Sequence, residues 1–149
     1  MLRLSKKTEY ALFAMVDMAG ISTREPATVR ELAQRYSLPQ ELLGKVLQTL
    51  KKEGMLDSIQ GVKGGYMLAR TAEQISLAEI VEAIEGPFTF MSCSGEVSCT
   101  CTLFDNCTIK SPLEVIQQGL ENYFRSITLK DLSQQSVDQI KGPVHPAAI

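Results

Sequence analysis

Two short helices that open almost on top of one another, followed at once by a glycine-rich hairpin, restrict what this chain can fold into more than any other feature. Thr28-x-x-Glu31 forms a capping box, in which each side chain takes an orphan N–H from the other's backbone. Ser37-x-x-Gln40, with Pro39 in the first turn, is the same kind of helix start and predicts a second helix directly behind the first. That helix places Leu43, Val46, Leu47 and Leu50 at i, i+3, i+4 and i+7, and Gly54 ends it. Its other face carries Gln40, Glu41, Gly44, Lys45, Gln48, Lys51 and Lys52. Met55 to Ile59 and Tyr66 to Leu68 flank the turn Gln60-Gly61-Val62-Lys63-Gly64-Gly65, which predicts a β-hairpin.

The flanking segments complete the frame. Ser5 caps a first helix running to about Ile21, whose apolar content (Tyr10, Leu12, Phe13, Met15, Val16, Met18) marks it as a buried scaffold. Ser76-x-x-Glu79 opens a further helix with Leu77, Ile80, Val81 and Ile84 inward, stopped by Gly86-Pro87. Residues 88–110 show neither helical nor strand period and contain every cysteine, and long irregular loops in small domains are usually functional. Ser111-x-x-Glu114, with Pro112 at the first helical position, starts a long helix in which Leu113, Ile116, Leu120, Tyr123 and Ile127 form a narrow apolar seam of the kind two helices share. The expected fold class is mainly α with a small β-hairpin wing: a winged helix-turn-helix plus a long C-terminal dimerisation helix. The expected divisions are a DNA-binding domain over 1–87, a cysteine-rich loop over 88–110, a dimerisation helix over 111–132 and a disordered polar tail over 133–149.

Composition enters through charge. The net charge is only −2, but residues 1–70 carry +4 and residues 71–149 carry −6. A basic first half beside an acidic second half suggests that one end meets a polyanion. The apolar run Tyr10 to Ile21 follows Lys6 and Lys7 but is interrupted by Asp17, and no stretch reaches bilayer-spanning length. The reading is a soluble cytoplasmic protein with no membrane partner.

For double-stranded DNA, the second helix of the pair would enter the major groove. Gln40, Lys45 and Gln48 are the base-reading candidates, and Arg30, Lys51, Lys52 and Lys63 the phosphate candidates. Thr28 stands beside Arg30 near the phosphates, and Gln60 and Lys63 occupy the wing. A lysine-bearing helix face is often only a solvated surface. Here the wing and the charge asymmetry weigh against that.

All four cysteines, Cys93, Cys99, Cys101 and Cys107, fall within fifteen residues. In a reducing compartment such clustering points to ligation rather than to disulfides. Thiolates suit iron–sulfur iron, but the same set suits a structural zinc site or a redox disulfide pair. The lone His145 lies in the polar tail and reads as solvated. A redox enzyme is disfavoured, because there is no nucleotide fingerprint, no catalytic histidine arrangement, and no need in such an enzyme for a helix-turn-helix surface.

The strings LRLSKKTEYAL, LKKEGMLDSIQGVKGGYMLAR, ISLAEIVEAIEGP and the cysteine loop leading into SPLEVIQQGL together resemble the Rrf family of bacterial regulators, from about Leu2 to Leu132. The resemblance implies a homodimer on a palindromic operator, a winged domain on each protomer, and an iron–sulfur cluster, of 2Fe–2S or 4Fe–4S type, held by the loop between them. It assigns Cys93, Cys101 and Cys107 as ligands, with Cys99 as the alternate, because Cys101-x5-Cys107 is similar to the second and third ligands of some members. Lys110 stands where certain members have a histidine ligand, and Asp105 where others have a third cysteine. Glu9 matches an N-terminal acidic residue that in certain members completes the cluster from the partner protomer; the alternative for Glu9 is first-turn stabilisation of the helix dipole. Gln60 replaces an arginine common in the wing, and Gly44 a glutamate tied to promoter choice in one member. The implied function is a repressor sensing iron–sulfur status at cluster-assembly genes, with a nitric oxide or redox response, or a zinc or thiol regulator, as alternatives.

Overall fold

The computed structural model describes residues 3–20, 25–89 and 107–134. Helix α1 (Lys6–Gly20) begins where Ser5 Oγ accepts from the Thr8 N–H at 3.3 Å, and it sends Ala11, Ala14 and Met15 into the core. Helix α2 (Val29–Tyr36) carries the predicted capping box: Glu31 N–H donates to Thr28 Oγ1 at 3.1 Å, and Thr28 N–H donates to Glu31 Oε2 at 2.8 Å.

Ser37 does not cap the next helix, contrary to the reading from its spacing. It takes a left-handed conformation (φ 53°) and ends α2, with Leu38 N–H donating to Ala33 O and Ser37 N–H to Gln34 O, a Schellman pair. The physical reason lies in Pro39, which disfavours helical backbone at Leu38, so a helix opened at Ser37 would be broken at its first residue. Helix α3 (Gln40–Lys52) therefore starts from Pro39, without a side-chain cap. It ends in a second Schellman pair, Gly54 (φ 74°) to Lys51 and Met55 to Leu50, both at 3.0 Å. Leu43, Leu47 and Leu50 are fully buried and Val46 nearly so, as their spacing requires.

Strands β1 (Leu56–Ile59) and β2 (Gly65–Leu68) form the antiparallel hairpin, with Leu56 opposite Leu68 and Ile59 opposite Gly65. Ala27 adds a bridge on the far side of β2, exchanging 2.8 Å bonds with Tyr66 in both directions. This bridge is why Gly65 is glycine: a Cβ there would sit 2.7 Å from the Ala27 carbonyl oxygen, at a φ of 157°. The wing is thus stitched to the start of α2.

Helix α4 (Leu77–Glu85) carries the second predicted capping box, Ser76 with Glu79, to which Arg70 adds an ion pair at 3.0 Å. Burial tends to raise the Glu79 carboxyl, but the Ser76 bonds and the Arg70 charge outweigh it and hold it below the usual carboxylate range. At the other end of α4, Glu85 Oε1 accepts from Ser5 N–H at 3.0 Å and from the hydroxyl of Thr8, which is wholly buried. Those bonds lower the Glu85 pKa.

The long C-terminal helix departs from expectation at both ends. Helix α5 (Lys110–Ser126) begins one residue before Ser111, so Ser111 and Pro112 lie in its first turn, where a proline N–H is not missed, and no side chain caps it. It stops before Ile127, which is extended and only 6% exposed, so Ile127 belongs to this chain's own interior and not to the predicted seam. Residues 127–129 instead pair with 75–77: Leu77 N–H donates to Ile127 O and Leu129 N–H to Ile75 O, both at 2.8 Å. A third capping box, Thr128 with Asp131, opens the short helix α6 (Leu129–Ser133), which packs on α1 and returns the chain to the winged domain. No described helix is long and apolar enough to cross a membrane.

Candidate nucleic-acid interface

Helix α3 packs on α1, α2, α4 and β1, and this fixes which of its faces is left outside. Gln40, Lys45, Gln48, Lys51 and Lys52 are all exposed there, while the four leucine and valine positions face the core. Three of the predicted contact residues already have partners within the chain. Lys45 Nζ donates to Glu41 Oε1 at 2.9 Å, an exposed i,i+4 pair that a phosphate or base would have to displace at little cost. Lys51 Nζ donates to Ser58 Oγ at 2.5 Å and so ties the end of α3 to the wing. The Thr28 hydroxyl is engaged with Glu31, which makes Thr28 a capping residue first. Arg30 is exposed on the first turn of α2.

The wing turn presents Gln60, Val62 and Lys63 to solvent, with Val62 wholly exposed. Gly64 N–H closes the turn on Gly61 O at 2.9 Å, and a Cβ at Gly64 would fall 2.5 Å from the Ile59 carbonyl oxygen. The candidate interface is therefore a helix face and a hairpin tip joined by Lys51–Ser58 and by the Ala27–Tyr66 bridge. Behind it, Asp17 accepts from Arg35 and from Tyr36 Oη, locking the end of α2 to α1. That pairing raises the Arg35 pKa; burial, then the Asp17 bond, raises that of Tyr36.

One feature of this face was not singled out from the sequence. A shallow open hollow of about 580 Å³ is lined by Val29, Gln40, Glu41, Gly44, Lys45 and Gln48. Val29 is half-buried, packs against the core and also reaches this hollow beside Gly44. The available signal was a glycine on the outer face of a helix.

Of the candidate cluster ligands, Cys93, Cys99 and Cys101 lie outside the described residues, as does His145. Cys107 is half-buried, forms no disulfide, and stands just ahead of α5. Glu9 sits in the first turn of α1, paired with Lys6 at 2.5 Å, with its side chain 36% exposed. Leu113, Leu120 and Tyr123 of the seam are half-buried and Ile116 is 53% exposed.

A capped helix pair, an outward polar helix and a bridged wing are the parts of a winged helix-turn-helix. The chain also matches, over residues 4–135, the family model described as "Rrf2: Iron-dependent Transcriptional regulator". The chain belongs to the Rrf2 family. It is 31% identical over 134 residues to the transcriptional regulator NsrR of Oceanobacillus iheyensis, covering 88% of this chain and 89% of that one. It is 27% identical over 145 residues to the regulator IscR of Klebsiella pneumoniae, covering 97% and 88%. Among solved structures it is similar to CymR, the global cysteine regulator of B. subtilis, at 26% identity and a TM-score of 0.72, over 90% of this chain and 98% of that one. As a member of the Rrf2 family the chain is a transcriptional regulator, and DNA is what such regulators bind. In that family setting, the winged-helix expectation holds.

Proposed function

We propose that this Rrf2-family regulator is a cytoplasmic homodimeric repressor whose two α3 helices read half-sites about 10 bp apart, or a multiple of that, on a palindromic operator. The observation that carries the reading is the two-sidedness of α3: four apolar residues inward, and Gln40, Lys45, Gln48, Lys51 and Lys52 outward beside the wing. Gln40, Lys45 and Gln48 contact base edges; Arg30, Lys51, Lys52 and Lys63 contact phosphates, with Thr28 and Gln60 at the margins. Dimerisation through Leu113, Ile116, Leu120 and Tyr123 is supported by α5 itself. It has no buried residue, and Ile109, Val115 and Ile116 on or beside it are 61%, 66% and 53% exposed.

The sensor in this proposal is an iron–sulfur cluster held by Cys93, Cys101 and Cys107, with Cys99 as alternate and Glu9 of the partner protomer as a further ligand. The donor set fits: thiolates are the ordinary ligands of such clusters, and Cys107 is half-buried and unbridged. When bound, the cluster supplies an iron centre responsive to cluster supply, nitric oxide or oxidants. The chain's own part is mechanical. Arg125 bridges α5 to Glu82 of α4 at 2.9 Å, the Phe124 ring packs tilted against Phe88 with centroids 5.8 Å apart, and residues 127–129 hold the far end of α5 to the winged domain. Ligation at Cys107, just ahead of α5, then acts on the end of α5 away from that anchor and shifts the population of protomer spacings that fit a duplex.

The test is an anaerobic preparation of the full chain, with iron, sulfide and zinc analysis, a visible spectrum, and selection of duplexes from a random pool. Iron with sulfide and an enriched palindrome are expected. Zinc alone, or no metal with an intact DNA response to thiol oxidation, would replace the cluster by the alternative reading. That alternative is a zinc or thiol regulator built on the same four cysteines.

A further inference from the structure

Glycine is the least favourable residue for a helix interior after proline, and Gly44 stands well inside α3. Nothing in the fold requires it. Its φ is not in the left-handed region, and a Cβ built there would meet only Val29 Cγ1, at 3.8 Å, an ordinary contact. The fold therefore has room for a Cβ at this position, on the face that Gly44 shares with Gln40, Lys45 and Gln48. What its absence leaves is the shallow hollow of about 580 Å³, with Val29 and the bare Gly44 backbone flanked by the Gln40 and Gln48 side chains.

We infer that this hollow receives the C5-methyl group of a thymine, making Gly44 and Val29 specificity-determining residues of the operator contact. The inference rests on the DNA-reading role of α3 proposed above. Three observations lead to it. Gly44 lies in the N-terminal half of α3, and the N-terminal residues of a recognition helix are those that reach base edges. The Val29 methyl carbon offers an apolar surface, which among base-edge groups in the major groove matches only the thymine methyl. The flanking glutamines are amides, whose bidentate partner is adenine, so one step away on either side the same face favours A·T pairs. The one anionic group at the rim, Glu41, is already paired with Lys45. Any side chain at position 44 beyond a methyl would occupy the space the base edge needs.

The experiment uses full-length protein and duplexes selected from a random-sequence pool. Each thymine of the selected duplex is replaced in turn by deoxyuridine, which removes the C5-methyl and leaves every hydrogen-bonding group in place, and Kd is read by fluorescence anisotropy at fixed salt. At one position per half-site the wild type is expected to bind about fourfold more weakly for each methyl removed. Gly44→Leu, which fills the hollow, should bind the thymine duplex roughly tenfold more weakly and lose its sensitivity to deoxyuridine. Val29→Ala, which removes the apolar floor, should also lose that sensitivity, with circular dichroism and melting showing both variants folded. Enrichment of a duplex with no thymine whose methyl affects Kd would overturn this inference alone. So would a Gly44→Leu variant with wild-type affinity and wild-type deoxyuridine response. A pool from which nothing is enriched would remove the DNA-reading proposal itself, and this inference with it.

Discussion

Helices α3 and α5 are both amphipathic, and they end up in opposite circumstances. In α3 the apolar stripe is consumed by the chain that carries it: Leu43, Leu47 and Leu50 are fully buried and the polar face alone looks out. In α5, seventeen residues long, not one residue is buried, and the outward positions Val115 and Ile116 are apolar. A single helix with an uncovered apolar strip signals an interaction site. The lesson is that one half of the molecule is finished by its own sequence, whereas the other leaves uncovered the apolar strip that the proposed dimer would bury. A regulator needs both conditions, a rigid reading head and a surface whose state can change.

The contrast can be broken most severely at α3. Leu47→Ala removes a fully buried side chain from the junction of α1, α2 and α3, and should cost about 2–5 kcal/mol, seen as a melting temperature lower by roughly 10 °C. The double change Val115→Glu with Ile116→Glu should leave the chain folded but halve its sedimenting mass and weaken binding to a palindromic duplex by a factor of roughly 100, because each apolar side chain withdrawn from a buried interface is worth about 1.5–3 kcal/mol. If that variant stayed dimeric, α5 would not be the completing surface. Ser37→Gly sharpens the finished half: it relieves a left-handed non-glycine residue at the joint between α2 and α3, and should stabilise the fold by about 1 kcal/mol without altering oligomeric state.

The smallest effect concerns acid. Glu79 and Glu85 both titrate below the ordinary carboxylate value of 4.5 in the folded chain. Their stabilisation is therefore complete above that value and is lost as pH falls through the lower folded values. Glu85→Gln should flatten the acid side of the melting-temperature profile, with a loss of about 1 kcal/mol near neutrality, since Ser5 and Thr8 then donate to a neutral oxygen.

Much of the reading head was legible in the sequence because local signals agreed with tertiary ones. Thr28 with Glu31 and Ser76 with Glu79 form the capping boxes their spacing announced, and the i, i+3, i+4, i+7 pattern of α3 is its buried face. The misses arise where two local rules compete or where a contact has no pattern. Ser37 satisfied a capping signature, but the pre-proline restriction at Leu38 won. Ile127 continued the 3-4 spacing of the seam, yet Thr128 with Asp131 was a helix start of its own, and the backbone pairing with residues 75–77 drew Ile127 inward. The Ala27–Tyr66 bridge involves one residue on one side, too short for an alternation to reveal. Gly44 stood out in the sequence as a departure from a relative's glutamate, but nothing in the spacing revealed that Val29 of α2 lies beside it.

The account turns on whether the unfinished half controls the finished one. The direct measurement is the Kd of the anaerobic, iron-loaded full chain for its selected duplex against that of the metal-free chain at the same salt, repeated with Cys93, Cys101 and Cys107 each changed to serine. A difference of roughly tenfold or more between loaded and metal-free protein, abolished by the serine changes, is the predicted result, a coupling of the size usual between linked sites. Equal affinity in both states, with iron content indifferent to the serine changes, would contradict it.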